Sequence, residues 1–126
     1  MDDLWMIQAV IQPFKLDAVS LALQEVAGFG GMTVSDCRGY GHGKLDPNQD
    51  PEADPTGPRT QDAGLIDYTG KIRVDVAVSG RELADRVVET IARAARTGRR
   101  GDGKVFLWPL SRAVRVRTME EGPGAI

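Results

Sequence analysis

The chain has one cysteine, Cys37, and one histidine, His42, among its 126 residues. A lone cysteine excludes an internal disulfide and any cysteine-based zinc site, and Cys37 is expected to pack as a small hydrophobe. His42, at the edge of a loop, reads as a solvated residue rather than a ligand or pH switch. Aromatic residues make up 6% of the chain, too few to furnish a stacking surface for single-stranded nucleic acid. Trp108 is accordingly expected in the core or at a subunit interface. Neither sign of charge dominates: the formal net charge of -2 gives no general attraction to nucleic acid or to an anionic membrane. Long hydrophobic runs are missing too. The apolar stretch from Leu4 to Ile11 is broken by Gln8 and closed by Pro13, fitting neither a signal peptide nor a membrane span. A cytoplasmic protein without membrane insertion is expected. No Ser-His-Asp set, paired carboxylate or metal cluster can be read from the pattern, so no enzyme is expected.

What remains is enough for a single domain over residues 1–126, burying about two-thirds of its unfolded surface without disulfide or metal. Trp5, Ile7, Ala9 and Ile11 alternate with Met6, Gln8, Val10 and Gln12, which predicts a first strand ended by Pro13. Leu16, Val19, Leu23 and Val26 recur at helical spacing up to Gly28, so a helix is expected from near Leu16 to Ala27. A second strand follows from Met32 to about Arg38. Ile72, Val74, Val76 and Val78 alternate with polar residues as a third strand. Ser79-Gly80-Arg81-Glu82 has the pattern of a capping box, and Leu83, Val87, Val88, Ile91 and Ala95 stripe the helix it opens, with Gly98 as its end. Val105 to Trp108 predicts a fourth strand stopped by Pro109, and Ala113 to Thr118 a short fifth.

Between Gly39 and Gly70 the periodicity stops. Asp46-Pro47, Asp50-Pro51 and Asp54-Pro55 deny a ladder its N–H groups, and the acidic, apolar-poor composition cannot offset ordering entropy of about 1–2 kcal/mol per residue. A flexible, functional loop over about 42–69 is expected there. Its Asp-Pro repeats lack the closing Gly and Glu of an EF-hand, so no dedicated metal site is expected.

The order strand, helix, strand, loop, strand, helix, strand predicts an α+β fold. It is a ferredoxin-like βαββαβ antiparallel sheet with both helices on one face. The other face, expected to present Gln8, Asp36, Arg38, Arg73 and Asp75 among apolar residues, has no cover within the chain and suits contact with other subunits.

Thr97-Gly98-Arg99-Arg100-Gly101-Asp102-Gly103-Lys104 carries the chemistry. Three glycines permit positive φ and a close approach of backbone N–H groups to an anion, while Lys104 and the arginines add charge. Val105 stands where a Walker A loop needs Ser or Thr, and the order is helix, loop, strand, so this is no P-loop. A plain helix-to-strand turn stands as the alternative. Arg115 and Arg117, two apart in the expected fifth strand, would leave one face together and fork onto one polyphosphate, which favours the phosphate reading.

Several stretches in this order resemble the PII signal-transduction family across nearly the whole chain outside the loop. They are Ile11-Gln12-Pro13-Phe14-Lys15-Leu16-Asp17, Gly31-Met32-Thr33-Val34, Arg38-Gly39-Tyr40-Gly41, the glycine loop, and Val116-Arg117-Thr118 with Glu120-Glu121. The resemblance implies a homotrimeric sensor, not an enzyme, that takes ADP, ATP or AMP in clefts between subunits. By motif, Thr33 and the backbone near Arg38, Gly39, Tyr40 and Gly41 would meet the nucleotide, with Ala77 beside the base. Gly101, Asp102, Gly103 and Lys104 would cradle phosphates, and Arg115 and Arg117 would reach them from the adjacent subunit. The loop would then control a partner protein such as a membrane transporter or a metabolic enzyme, in nitrogen regulation, with a C-terminal tail over about 119–126.

Two departures bear on what is sensed. Where the family continues with Arg and Gln, this chain has His42 and Gly43, which weighs against Mg²⁺-ATP and 2-oxoglutarate sensing of the usual kind. No tyrosine lies between Tyr40 and Tyr68, so uridylylation is not expected. Two alternatives stay open: a sensor of carbon supply reading ADP or AMP with bicarbonate, and a metal-binding trimer of similar fold using His42 and the loop aspartates.

Overall fold

The computed structural model describes residues 3–40 and 68–126. Within them the alternating segments form four strands and the striped segments two helices: β1 (Leu4–Ile11), α1 (Leu16–Gln24), β2 (Thr33–Gly39), β3 (Thr69–Ser79), α2 (Arg81–Ala95) and β4 (Gly103–Leu110). The sheet order is β2-β3-β1-β4, every neighbouring pair antiparallel, as a ferredoxin-like βαββαβ chain requires.

Register assigns the faces. Ile7 lies opposite Val76 on one side and Leu107 on the other, and Ala9 opposite Val74 and Val105. These residues meet Val19 and Leu23 of α1 and Ala84, Val87, Ile91 and Ala95 of α2 in one core. Ile7 is fully buried at its centre. Ile7→Val should therefore cost about 1 kcal/mol, the usual loss for one buried methyl, read as a lower urea midpoint at unchanged slope.

The opposite face carries Met6, Gln8 and Val10 of β1, Arg73, Asp75 and Ala77 of β3, and Lys104, Phe106 and Trp108 of β4. Nothing among the described residues covers it: Phe106 and Trp108 stay 47% and 39% exposed. Trp108 is thus outside the core. Asp36 and Arg38, expected on this face, lie on the other, because Asp36 pairs with Ile72 and Arg38 with Gly70. Polarity misled here, since β2 is an edge strand whose helix-side residues remain exposed even without the open face.

Four further boundaries differ from expectation. The first helix stops at Gln24 because Glu25 and Val26 donate to the carbonyls of Ala22 and Leu23, tightening the turn before Gly28. Ser79 stays in β3 opposite Leu4, so it cannot cap α2; Gly80 holds the N-cap position at φ 97° with no side-chain cap, and its N–H donates to Asp3 O at 2.8 Å. α2 itself ends at Ala95, short of Gly98, with Arg96 extended. Pro109 does not stop β4, an edge strand that loses no second ladder by lacking an N–H.

The expected fifth strand is absent. Residues 113–118 pair with the tail instead of the sheet, through a single bridge between Val114 and Glu121 and a turn in which Met119 N–H donates to Arg115 O at 2.8 Å. Without a pleated strand, the alternation that would send Arg115 and Arg117 to one face does not exist.

Candidate functional site

The segment between α2 and β4 has the conformation its glycines allow. Gly98, Gly101 and Gly103 all have positive φ, at 88°, 93° and 107°. At Gly103 the reason is also spatial, since a Cβ there would stand 1.7 Å from Val10 O. The loop is fastened from inside by Asp102. Its carboxylate accepts the N–H groups of Thr97 and Gly98 at 2.8 and 2.9 Å, and the Thr97 hydroxyl donates to its other oxygen. Partial burial opposes the charge, but the bonds from the Thr97 hydroxyl and from the N–H groups of Thr97, Gly98 and Arg99 outweigh it and hold Asp102 below its ordinary value. Asp102 is thus occupied in shaping the loop, with Thr97 as its partner.

That shift has a sign. A depressed folded value makes the Asp102 bonds fully effective above the ordinary carboxylate range and progressively lost as pH falls through the folded value. The amide of Gly98 should stay protected from exchange at neutral pH and lose protection only as pH falls below the ordinary carboxylate value, a loss that NMR should see coincide with Asp102 titration.

A second tie joins the loop to the sheet. Lys71, in β3, donates from Nζ to Gly101 O at 2.6 Å and is the only buried charged side chain among the described residues. Beside it lies a cleft of about 330 Å³ lined by Pro13, Asp36, Cys37, Arg38, Gly70, Lys71 and Ile72. Cys37 is half-buried in that wall. Where the chain leaves for residues 41–67, Tyr40 and Tyr68 meet edge to face with ring centroids 5.4 Å apart. Gly41, His42, Gly43 and nearly all of the expected loop over 42–69 lie outside the described residues; Thr69 already belongs to β3.

The sequence-predicted residues therefore fall into two groups. Arg38, Gly39, Tyr40, Gly101, Asp102, Gly103 and Lys104 gather at one end of the sheet, linked through Lys71. Ala77, opposite Met6, lies toward the other end on the open face, and Thr33, opposite Asp75, lies level with Phe106 at the middle of the sheet. The segment bearing Arg115 and Arg117 leaves β4 at that far end, beyond Leu110. At ~3.4 Å per residue, β4 separates Gly103 from Leu110 by about 24 Å. Within one chain, β4 thus sets the glycine loop apart from the start of the segment that carries the two arginines.

Sequence reasoning missed Lys71 and Thr97. Lys71 looks no different from Arg73 in its alternation, and only the register that puts it beside Gly101 singles it out. Thr97 could have been read from its spacing to Asp102, a side-chain turn within a glycine loop. Among the described residues no group of His, Cys, Asp and Glu is arranged to hold a metal ion, and no helix is long and apolar enough to cross a membrane.

A family model described as Nitrogen regulatory protein P-II matches residues 4–120. The chain is 39% identical over 120 residues to the nitrogen regulatory protein P-II of Bradyrhizobium diazoefficiens, covering 95% of this chain and 97% of that protein. It is 38% identical over the same length, with the same coverage, to nitrogen regulatory protein P-II 1 of Escherichia coli K12. Among solved structures it is similar to Arabidopsis thaliana PII bound to citrate, with a TM-score of 0.72 at 30% identity, over 98% of this chain and 92% of that one. The Bacillus subtilis GlnK-ATP complex superimposes with a TM-score of 0.73 at 24% identity, over 98% of each chain, a likeness of fold.

Proposed function

This chain belongs to the nitrogen regulatory protein P-II family, and we propose that it acts as a cytoplasmic regulator without enzymatic activity. On this reading it is a homotrimer that binds ADP, ATP or AMP in clefts between neighbouring copies. The nucleotide sets whether residues 41–67 engage a partner, such as a membrane transporter or a metabolic enzyme. The observation that carries the proposal is the length of β4 between the glycine loop, at Gly103, and the start of the segment with Arg115 and Arg117, beyond Leu110, on a sheet whose open face exposes Phe106 and Trp108. Assembly of copies across that face covers it, and lets the glycine loop of one chain meet the arginines of the next.

The roles follow from the chemistry. Gly101, Gly103 and Lys104 receive phosphates from one chain, Asp102 keeps the loop in shape, and Arg115 and Arg117 supply charge from the neighbour. Ala77, and Thr33 nearer the middle of the sheet, flank the base, and Arg38, Gly39 and Tyr40, with Gly41 next in sequence, lie where the phosphates approach the partner-binding segment. The Lys71 bond to Gly101 joins the phosphate loop to β3 close to Tyr68, where that segment rejoins the sheet. A nucleotide shifts the segment only by binding its states unequally. The citrate bound by the Arabidopsis relative is a polyanion, which accords with a cleft built for anions.

Calorimetry with ADP, ATP and AMP, run beside light scattering, tests the reading. The expected result is saturable binding by a particle of three times 13.6 kDa. A 13.6 kDa monomer at micromolar concentration, or no heat with any of the three nucleotides, would overturn it.

A further inference from the structure

β1 stops short of the glycine loop. Ile72 of β3 and Gly103 of β4 both lie opposite Ile11, the last residue of β1, and the chain then turns away into a 3₁₀ turn at Pro13–Lys15. Lys71 and Gly101 lie beyond that point, with no strand between them. The Lys71 side chain crosses the gap, its Nζ donating to Gly101 O at 2.6 Å from a residue only 9% exposed. The loop thus has two fasteners with separate targets. The Asp102 carboxylate gathers the N–H groups of Thr97 and Gly98, and Lys71 takes the carbonyl between Gly101 and Asp102.

We infer that Lys71 is a positioning residue of the phosphate site, which aims the Asp102 N–H at the anion by holding the other side of its peptide. No peptide bond among the described residues is cis, so the Gly101 carbonyl and the Asp102 N–H point in opposite directions from one rigid plane. With the carbonyl turned in to Lys71, the N–H is turned away from it. That N–H makes no hydrogen bond with the described residues, and it is open to a ligand. Gly101, at φ 93°, has no Cβ to restrict rotation of this peptide, so the restraint must come from elsewhere. An ammonium on the carbonyl also polarises the amide and strengthens its N–H as a donor. A peptide plane fixed in advance loses no further entropy when the phosphate arrives. The inference rests on the nucleotide reading for its ligand, and not for the orientation of the peptide.

The test compares the full chain with Lys71→Met, which keeps the length of the side chain and removes the donor, and with Lys71→Arg, which restores one. In the ligand-free wild type, NMR should find a scalar coupling across the hydrogen bond from Lys71 Nζ to the Gly101 carbonyl carbon. Saturation with ADP should leave that coupling in place while the Asp102 amide proton moves downfield. Lys71→Met should move the ligand-free Asp102 amide proton upfield, leave the Gly98 amide where it is and keep the melting temperature. ADP affinity should fall roughly three- to tenfold, the range of one hydrogen bond, and Lys71→Arg should recover most of it. Loss of the coupling when ADP binds makes Lys71 a direct ligand and overturns the inference. An Asp102 amide unmoved by Lys71→Met overturns it too, as does a Gly98 amide displaced equally, which marks general support of the loop. Failure of the wild type to bind ADP strikes the nucleotide reading instead, and the Asp102 shift in the ligand-free variant still decides the positioning.

Discussion

Gly103→Ala is expected to destabilise the protein by more than about 4 kcal/mol, or to prevent it from folding, as a collision with the backbone of the neighbouring strand should. The added Cβ would sit 1.7 Å from Val10 O and 2.8 Å from the Val10 carbonyl carbon, at a residue with φ 107°. No rotamer change relieves it, because both atoms belong to β1, whose pairing with β4 begins at Gly103 opposite Ile11. Gly98→Ala is the control. Gly98 shares the positive φ, at 88°, but a Cβ there meets nothing within 4 Å. It should cost only the conformational strain of about 1–2 kcal/mol. Urea melts of the two variants separate the effects, and equal losses would show that steric contact at Gly103 is not what matters.

Arg117→Ala is expected to weaken adenine-nucleotide binding by roughly tenfold to a hundredfold, the loss of one charge-assisted hydrogen bond of about 1.5–3 kcal/mol. Arg117 is exposed and has no partner among the described residues, so its removal leaves no buried group unsatisfied and should not change stability. That separation makes the experiment clean. Calorimetry should show the weaker binding at an unchanged melting temperature, and unchanged affinity would remove Arg117 from the site.

The fold was legible in the sequence wherever burial is one-sided. β1 and β3 alternate because one face of each packs on helices, and Val74, Val76 and Val78 had no other reading. The glycine loop was legible for a related reason, since positive φ at Gly98, Gly101 and Gly103 is a property of the residue before it is a property of the fold. What escaped depends on contacts distant in the chain. Ala113 to Thr118 has the alternation of a strand, but its pairing partner is Glu121, and no periodicity announces that a segment folds on its own tail. Asp36 and Arg38 look like open-face residues by polarity, whereas the register with Ile72 and Gly70 puts them on the helix side. Lys71 owes its place to Gly101, thirty residues away in sequence.

The distance along β4 also has a genetic meaning. In the assembly proposed above, a chain with a damaged glycine loop and a chain with damaged arginines fail for opposite reasons. Mixed in one ring of three, the sound end of each faces the sound end of the other at one cleft, while another cleft carries both defects. Two alleles that are each impaired alone, such as Lys104→Ala and Arg117→Ala, would thus partly complement one another when expressed together.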